Sequence, residues 1–394
     1  MGRLTYGTAG LLALAAMTAC SASNASEQGE SAAPAAAEKT VVTVVPANKS
    51  GNIPTDQTVV VAAQGSPLKS VRVTGTSPMP GVTSSDGTRW RSTRTARPGV
   101  TYTVTATTAD GNTSTTTFTT VKASKSFGIE TITPNKDDTG LTVGVGMPIM
   151  ITFDRPVTDR VAVERNLVVS TSKPVEGAWH WFDDSHVDYR PKTYWPAHSK
   201  VRLDARLAGV RVADGVYGKR DYTLDFRIGR EQITKGSTQT HYLTVKRDGK
   251  KIREIAMSAG QGGAWKYYTT SGTHLAMSRE PVTIMTSPGI GPGSAGYYRM
   301  TVYNTVRISN SGEYVHSAPW SVGSQGYSNV SHGCVNVSPS NASWFINNTL
   351  IGDPIIITGT PRTLEPTNGW GHWQESWKQW LRWSALKSGR TDLL

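Results

Sequence analysis

The chain has 394 residues, a formal net charge of +12 and a pI near 9.6. That length exceeds one ordinary domain and accommodates two or three, each with its own core. Two cysteines exclude a disulfide framework, and no zinc-finger spacing, basic arm or nucleic-acid motif accompanies the charge. The positive balance therefore points to an anionic polymer or a membrane surface, or to a basic solvated surface without a dedicated partner; no nucleic-acid partner is expected.

Residues 1–20 read as an export signal. Arg3 supplies a short positive region, residues 10–17 a short apolar run, and Thr18 and Ala19 precede Cys20. The run is too short to span a bilayer, so it reads as a cleaved segment. Residues 17–20, Met-Thr-Ala-Cys, resemble a bacterial lipobox. That resemblance implies lipidation of Cys20 and a membrane-anchored chain facing outward; the plainer reading is a secretory signal that happens to hold a cysteine. Residues 21–38 are rich in Ala, Ser, Glu and Pro without periodicity, as expected of a disordered tether.

The fold class expected from the rest is mainly β. Residues 39–122 alternate with period two, most clearly at 101–107 and 114–120 around the turn Asp110-Gly111-Asn112, which predicts a sandwich of short strands. Residues 123–230 form a second β-rich block with strands at 148–153, 200–205 and 222–228. Both read as immunoglobulin-like spacers. In the third block, residues 231–360, Asp248-Gly249 joins two alternating runs and predicts a tight hairpin. Further strands are expected at 282–285, 300–303 and 354–358. A helix should begin after Ser338, with Pro339 at its first position. In residues 361–394, Trp370, Trp373, Trp377 and Trp380 recur at spacings of three and four. One helix would place them on one face, to pack back on the third block or to lie at a membrane interface.

Chemistry concentrates in two short runs, residues 316–320 (His-Ser-Ala-Pro-Trp) and 331–336 (Ser-His-Gly-Cys-Val-Asn). A thiol becomes a nucleophile as thiolate, and a neighbouring imidazole can take its proton. Gly333 permits close backbone approach, so amides near Gly333 and Cys334 are candidates for an oxyanion hole. If Cys20 is acylated, Cys334 is the one free thiol of an exported chain, where cysteines usually pair or are omitted. Taken alone, one Cys near two His fits either thiol catalysis or an inert buried cysteine.

The run from His316 to Asn336 resembles the signature of the L,D-transpeptidase family with its YkuD-type catalytic domain, and its actinobacterial branch in particular. That branch combines a lipoprotein-type signal, two immunoglobulin-like domains, the catalytic domain and a docked tail. The resemblance implies that Cys334 acylates on a peptidoglycan tetrapeptide stem with loss of D-Ala. A second stem's diaminopimelate amine then resolves the thioester into a 3→3 cross-link. It implies His316 as base and then acid, oriented by the Ser317 carbonyl, with His332 as the rival base held to a structural or oxyanion-side role. Tyr298, Ser311, Gly312 and Asn336 match substrate-site positions, and Met285 flanks a lid at about residues 288–297. Carbapenems are the implied inhibitors, and no cofactor is expected.

Two segments depart from the family pattern. Residues 269–272, Thr-Thr-Ser-Gly, stand where relatives often carry Thr-Pro-Thr. Arg211 sits where a calcium-binding loop would need a carboxylate, so no metal is expected. Ser-x-x-Lys occurs at Ser66, Ser170 and Ser384 in unrelated settings without Lys-Thr-Gly, which dismisses a serine-type penicillin-binding enzyme. A thiol carboxypeptidase or endopeptidase on the same fold, and a non-catalytic wall-binding lipoprotein, remain as alternatives.

Overall fold

A computed structural model of the chain describes residues 40–137, 139–287 and 289–393. Cys20 and the tether lie outside the described residues, as does Pro288 of the expected lid.

The first block is a sandwich of two four-stranded sheets. The alternation read at 101–107 and 114–120 becomes the antiparallel pair Thr101–Thr108 and Thr113–Thr120, whose inward residues Tyr102, Val104 and Phe118 are buried. Period-two patterning demands this, since one face must leave water. Tyr102 stacks on Phe118 with centroids 5.3 Å apart.

The second block pairs a four-stranded sheet with a five-stranded one around a core that includes Phe153, Trp179, Trp181, Tyr189 and Trp195. Its fifth strand comes from far along the chain: Asp392–Leu393 runs parallel to Leu167–Thr171.

The third block is one nine-stranded sheet. Asp248 and Gly249 both have positive φ, 49° and 77°, the requirement of the tight turn between Tyr242–Arg247 and Lys250–Ser258. At the sheet's middle, Tyr314–Ser317 lies parallel to Val335–Val337, with Val315 opposite Val335 and His316 opposite Asn336. Side chains alternate along a strand, so this register sorts the residues. Val315, Val335 and Val337 enter the core against the helix Pro339–Asn348, through Ala342 and Phe345. Tyr314, His316, Cys334 and Asn336 belong to the other face. The helix begins as the sequence requires, with the Ser338 hydroxyl accepting from Asn341 N–H and Pro339 in its first turn.

The tail corrects two expectations. Its tryptophans do not share one helix. A 3-10 turn holds His372–Gln374, and the α-helix Trp377–Arg382 starts only after Ser376, whose capping box with Gln379 opens a new helix. Nor does the stripe pack mainly on the third block. Trp380 is buried and donates its indole N–H to the Ala178 carbonyl at 2.9 Å, and Trp373 donates to Gly146 at 2.9 Å, both within the second block. The buried Arg190 guanidinium lies 4.7 Å from the rings of both Trp373 and Trp380 and 5.5 Å from Trp377. Indole N–H groups need acceptors and a buried cation needs aromatic faces, and the second block supplies both. The third block receives smaller contacts, such as Gln374 to the Thr273 carbonyl.

Candidate active site

The register brings nucleophile and base together. Cys334 precedes Val335 by one position, so it shares a face with Asn336, and Asn336 lies opposite His316. The two functional side chains therefore sit diagonally on neighbouring strands, within reach of one substrate. They line a cavity of about 840 Å³ together with His332, Gly333, Tyr298, Ser311, Gly312, Asn336 and Met285. Every substrate-side residue expected from the sequence is thus on this wall. Ser317 lies behind it, buried, and acts through its backbone.

His316 is 3% exposed, and its Nδ1 lies 2.9 Å from the Ser317 carbonyl. A carbonyl can only accept, so Nδ1 carries the proton and Nε2 keeps its lone pair. Burial holds the imidazole below its ordinary pKa, opposed by the hydrogen bond to Ser317. Cys334 is partly buried and donates its thiol to the Gly312 carbonyl at 3.6 Å. Burial pushes this thiol up to about 12; a hydrogen bond from the Tyr314 amide opposes the rise and nearby Glu313 adds to it. Both shifts disfavour the charged forms and favour neutral thiol and neutral imidazole. With Nδ1 engaged, Nε2 is the nitrogen left to accept a proton, an arrangement suited to general-base chemistry.

His332 has a different setting. Its ring is stacked between Tyr267, at 4.6 Å, and Tyr298, at 5.5 Å. Among the described residues no carbonyl fixes its tautomer as Ser317 fixes that of His316. Gly333 has φ +127°, a conformation glycine adopts without strain. Its amide, offered above as an oxyanion donor, is already donated to the Ser331 hydroxyl at 3.1 Å. This narrows the expected oxyanion hole to the amide of Cys334 itself. Asn336 donates to Ser321 Oγ at 3.1 Å, and Ser311 is held by Asn368 of the tail through two hydrogen bonds.

Several supporting residues escaped the sequence reading. The Ser331 hydroxyl donates to the Cys334 carbonyl at 2.6 Å and so closes the loop around the nucleophile. Thr269 accepts from the Gly260 amide and donates to the Gly333 carbonyl at 2.7 Å. Thr270 gives both its amide and its hydroxyl to Glu313, at 2.7 and 2.8 Å. The only available signal was the departure at residues 269–272, where two hydroxyls replace the pattern of relatives. Trp320, 54% exposed, lies 6.0 Å from the His316 ring and covers it. Among the described residues no cluster of three His, Cys, Asp or Glu side chains is placed to hold a metal ion.

Residues 50–211 match the bacterial Ig domain, and residues 233–357 match the L,D-transpeptidase catalytic domain. L,D-transpeptidase 2 of Mycobacterium tuberculosis is 34% identical over 311 residues, covering 78% of this chain and 75% of that protein. The chain belongs to the L,D-transpeptidase family.

Other relatives frame this L,D-transpeptidase. L,D-transpeptidase 1 of M. tuberculosis is 38% identical over 234 residues, which cover 59% of this chain and 85% of that one. L,D-transpeptidase 5 of the same organism is 38% identical over 253 residues, covering 63% of this chain but only 55% of the relative. A solved structure of LdtMt1 in complex with imipenem is 39% identical, with a TM-score of 0.50, covering 59% of this chain and 99% of that chain. L,D-transpeptidases are cysteine-dependent acyltransferases, and Cys334 is the free cysteine among the described residues. The Ig-domain match runs across both sandwiches, and the catalytic match holds both His316 and Cys334.

Proposed function

We propose that this L,D-transpeptidase forms 3→3 cross-links in peptidoglycan from the outer face of the cell membrane, held there by a lipid on Cys20. The observation that carries the reading is the pairing, in one cavity, of Cys334 with a histidine whose Nδ1 is committed to the Ser317 carbonyl. In the first half-reaction Cys334 Sγ attacks the carbonyl joining diaminopimelate to the D-Ala at position four of a donor stem. His316 Nε2 takes the thiol proton and gives it to the departing D-Ala amine, leaving a thioester. The side-chain amine of a second stem then attacks the thioester. His316 takes the proton from that amine and returns it to sulfur, an amide forms and the thiol is restored. The Cys334 amide receives the oxyanion in both halves. The tip of the hairpin between Thr286 and Arg299 borders the cavity through Gly289 and Tyr298, which supports a role in keeping water from the thioester.

Incubation with purified disaccharide tetrapeptide, followed by mass analysis, tests this reading. Dimer together with free D-Ala is expected. D-Ala without dimer would identify a thiol carboxypeptidase, and neither product would return the chain to a wall-binding role. A carbapenem presents a strained carbonyl to the same thiol and amide, so intact-protein mass spectrometry should show one adduct that Cys334→Ala removes. The lipid is tested by Cys20→Ser, which should leave the membrane fraction while keeping soluble activity.

A further inference from the structure

The cavity holds a cation that the chemistry of Cys334 and His316 does not use. Among the described residues lining it, three are Lys, Arg or Glu: Lys266, Glu313 and Arg362. Glu313 is occupied on both oxygens by Thr270. The Lys266 ammonium lies 5.2 Å from the Tyr267 ring centroid. Arg362 has no side-chain hydrogen bond or ion pair among the described residues and its Nε is buried without an acceptor; the Glu365 carboxylate is near enough to feel its charge but does not pair with it. A buried guanidinium N–H left unpaired is costly, and a planar fork of donors matches a carboxylate in two-point geometry.

The backbone that carries Arg362 is fixed. Its carbonyl accepts from the Ser271 amide at 2.7 Å and from the Thr360 hydroxyl at 3.2 Å. The Thr360 hydroxyl also reaches the Thr269 carbonyl at 2.7 Å, and the Thr269 hydroxyl reaches the Gly333 carbonyl at 2.7 Å. Arg362 is thereby tied, through two threonines, to the residue next to the nucleophile. The lining around His316 is uncharged by contrast: Trp320, Ser321, Ser324 and Asn336. The two substrates of the proposed reaction differ in the same sense. The donor reacts at an amide one residue from a terminal carboxylate, and the acceptor reacts at a side-chain amine.

We propose that Arg362 binds the C-terminal carboxylate of the acyl donor and so seats its scissile amide at Cys334; this rests on the transpeptidase reading above. The carboxylate leaves with D-Ala, so Arg362 acts in acylation and is released before the amine attacks. The uncharged lining beside His316 is left for the acceptor amine, which a cation would repel.

The test compares two tetrapeptide donors, one ending in D-alanine and one in D-alaninamide, by kcat/KM for release of the terminal residue. The wild-type protein should favour the carboxylate donor by about tenfold or more, as a charge-assisted hydrogen bond allows. Arg362→Gln should bring the ratio close to one, and Arg362→Lys should keep part of it. Each ratio is taken within one protein, so a loss of folded fraction cancels. A ratio that Arg362→Gln leaves unchanged, whatever happens to the two rates, overturns the proposal. If the wild-type protein turns over neither donor, the transpeptidase reading fails instead. Arg362 is then judged by alkylation of Cys334 with iodoacetate and with iodoacetamide. A lower iodoacetate-to-iodoacetamide rate ratio in Arg362→Gln upholds anion binding there, and an unaltered ratio overturns it.

Discussion

Two regions of this protein bury histidines beside ionisable partners, and they are built to opposite ends. Under the tail, Asp188 is 1% exposed and accepts from His186 at 2.8 Å and from His372 at 2.6 Å. His180 Nδ1 lies 3.1 Å from the Trp380 carbonyl, and three indoles surround Arg190. Three buried atoms there, Arg190 Nε, His372 Nδ1 and Glu375 Oε2, lack a hydrogen-bond partner among the described residues, but none of these residues lines the cavity that holds Cys334. In the cavity, His316 has one nitrogen tied and the other available, and Cys334 spends its thiol on a long contact with a carbonyl. Burial alone therefore does not mark a catalytic histidine. The mark is a buried ring with one nitrogen held and the second left open toward space that a substrate can enter.

The cavity should respond in activity. Cys334→Ala and His316→Ala should each lower cross-linking by roughly a thousandfold or more while thermal unfolding stays near wild type, because the two act as a unit. Equal activity loss accompanied by a large drop in Tm would erase the distinction between the regions. His332→Ala should cost less than His316→Ala, since its ring is stacked rather than tied; a greater loss would exchange their roles.

The second region should respond in stability. Trp380→Ala removes a fully buried indole and its hydrogen bond to Ala178, and should cost about 3–5 kcal/mol in denaturant unfolding. The folded fraction should keep its rate of carbapenem acylation. A tail that proved dispensable for stability would refute its part in covering Arg190 and the second block.

Acid should separate the two histidines next. Burial drives the His180 pKa down to about 4, so the unfolded chain binds that proton first as pH falls. The stability His180 leaves intact above pH 6.5 is lost progressively toward pH 4. His186 runs the other way: its hydrogen bond to Asp188 raises its pKa, and its contribution is lost as pH rises through that raised value. A His180→Gln variant should show a shallower acid decline in Tm. His316 is also lowered, so acylation of Cys334 should hold its rate somewhat below pH 6.5 in single-turnover measurements. A limb above pH 6.5 would contradict the neutral resting pair. The smallest effect is expected at Thr269→Val, where loss of the bridge between Gly260 and Gly333 should cost about 1–2 kcal/mol and slow acylation modestly.

Much of the fold was legible because its signals are local. Period-two alternation at 101–107, the Asp248-Gly249 turn and the Ser338-Pro339 start each depend on neighbours within a few residues. Of the site, Cys334, His316 and the Ser317 carbonyl were legible through a short motif on adjacent strands. What was not legible depends on contacts far apart in sequence. The tail's destination was decided by Arg190 and the Ala178 and Gly146 carbonyls, roughly 180 to 230 residues away from their partners. The engagement of the Gly333 amide follows from the rotamer of Ser331, and the clamp on Glu313 from two threonines that had looked like a mere departure. Spacing in the sequence carries no information on where a hydroxyl turns.

The strand Asp392–Leu393 has a consequence for the order in which the molecule is assembled. It lies beside Leu167–Thr171, while buried Glu164 accepts from Trp181 and from residues 384–386. A chain delivered amino-terminus first can finish its first sandwich early, since all eight strands lie between Val41 and Thr120. Its middle sandwich must wait, with Glu164 and Arg190 uncovered, until some two hundred further residues have been delivered. That interval exposes unpaired polar groups and an open sheet edge, so the middle of this protein is where holding factors and proteases would find it first.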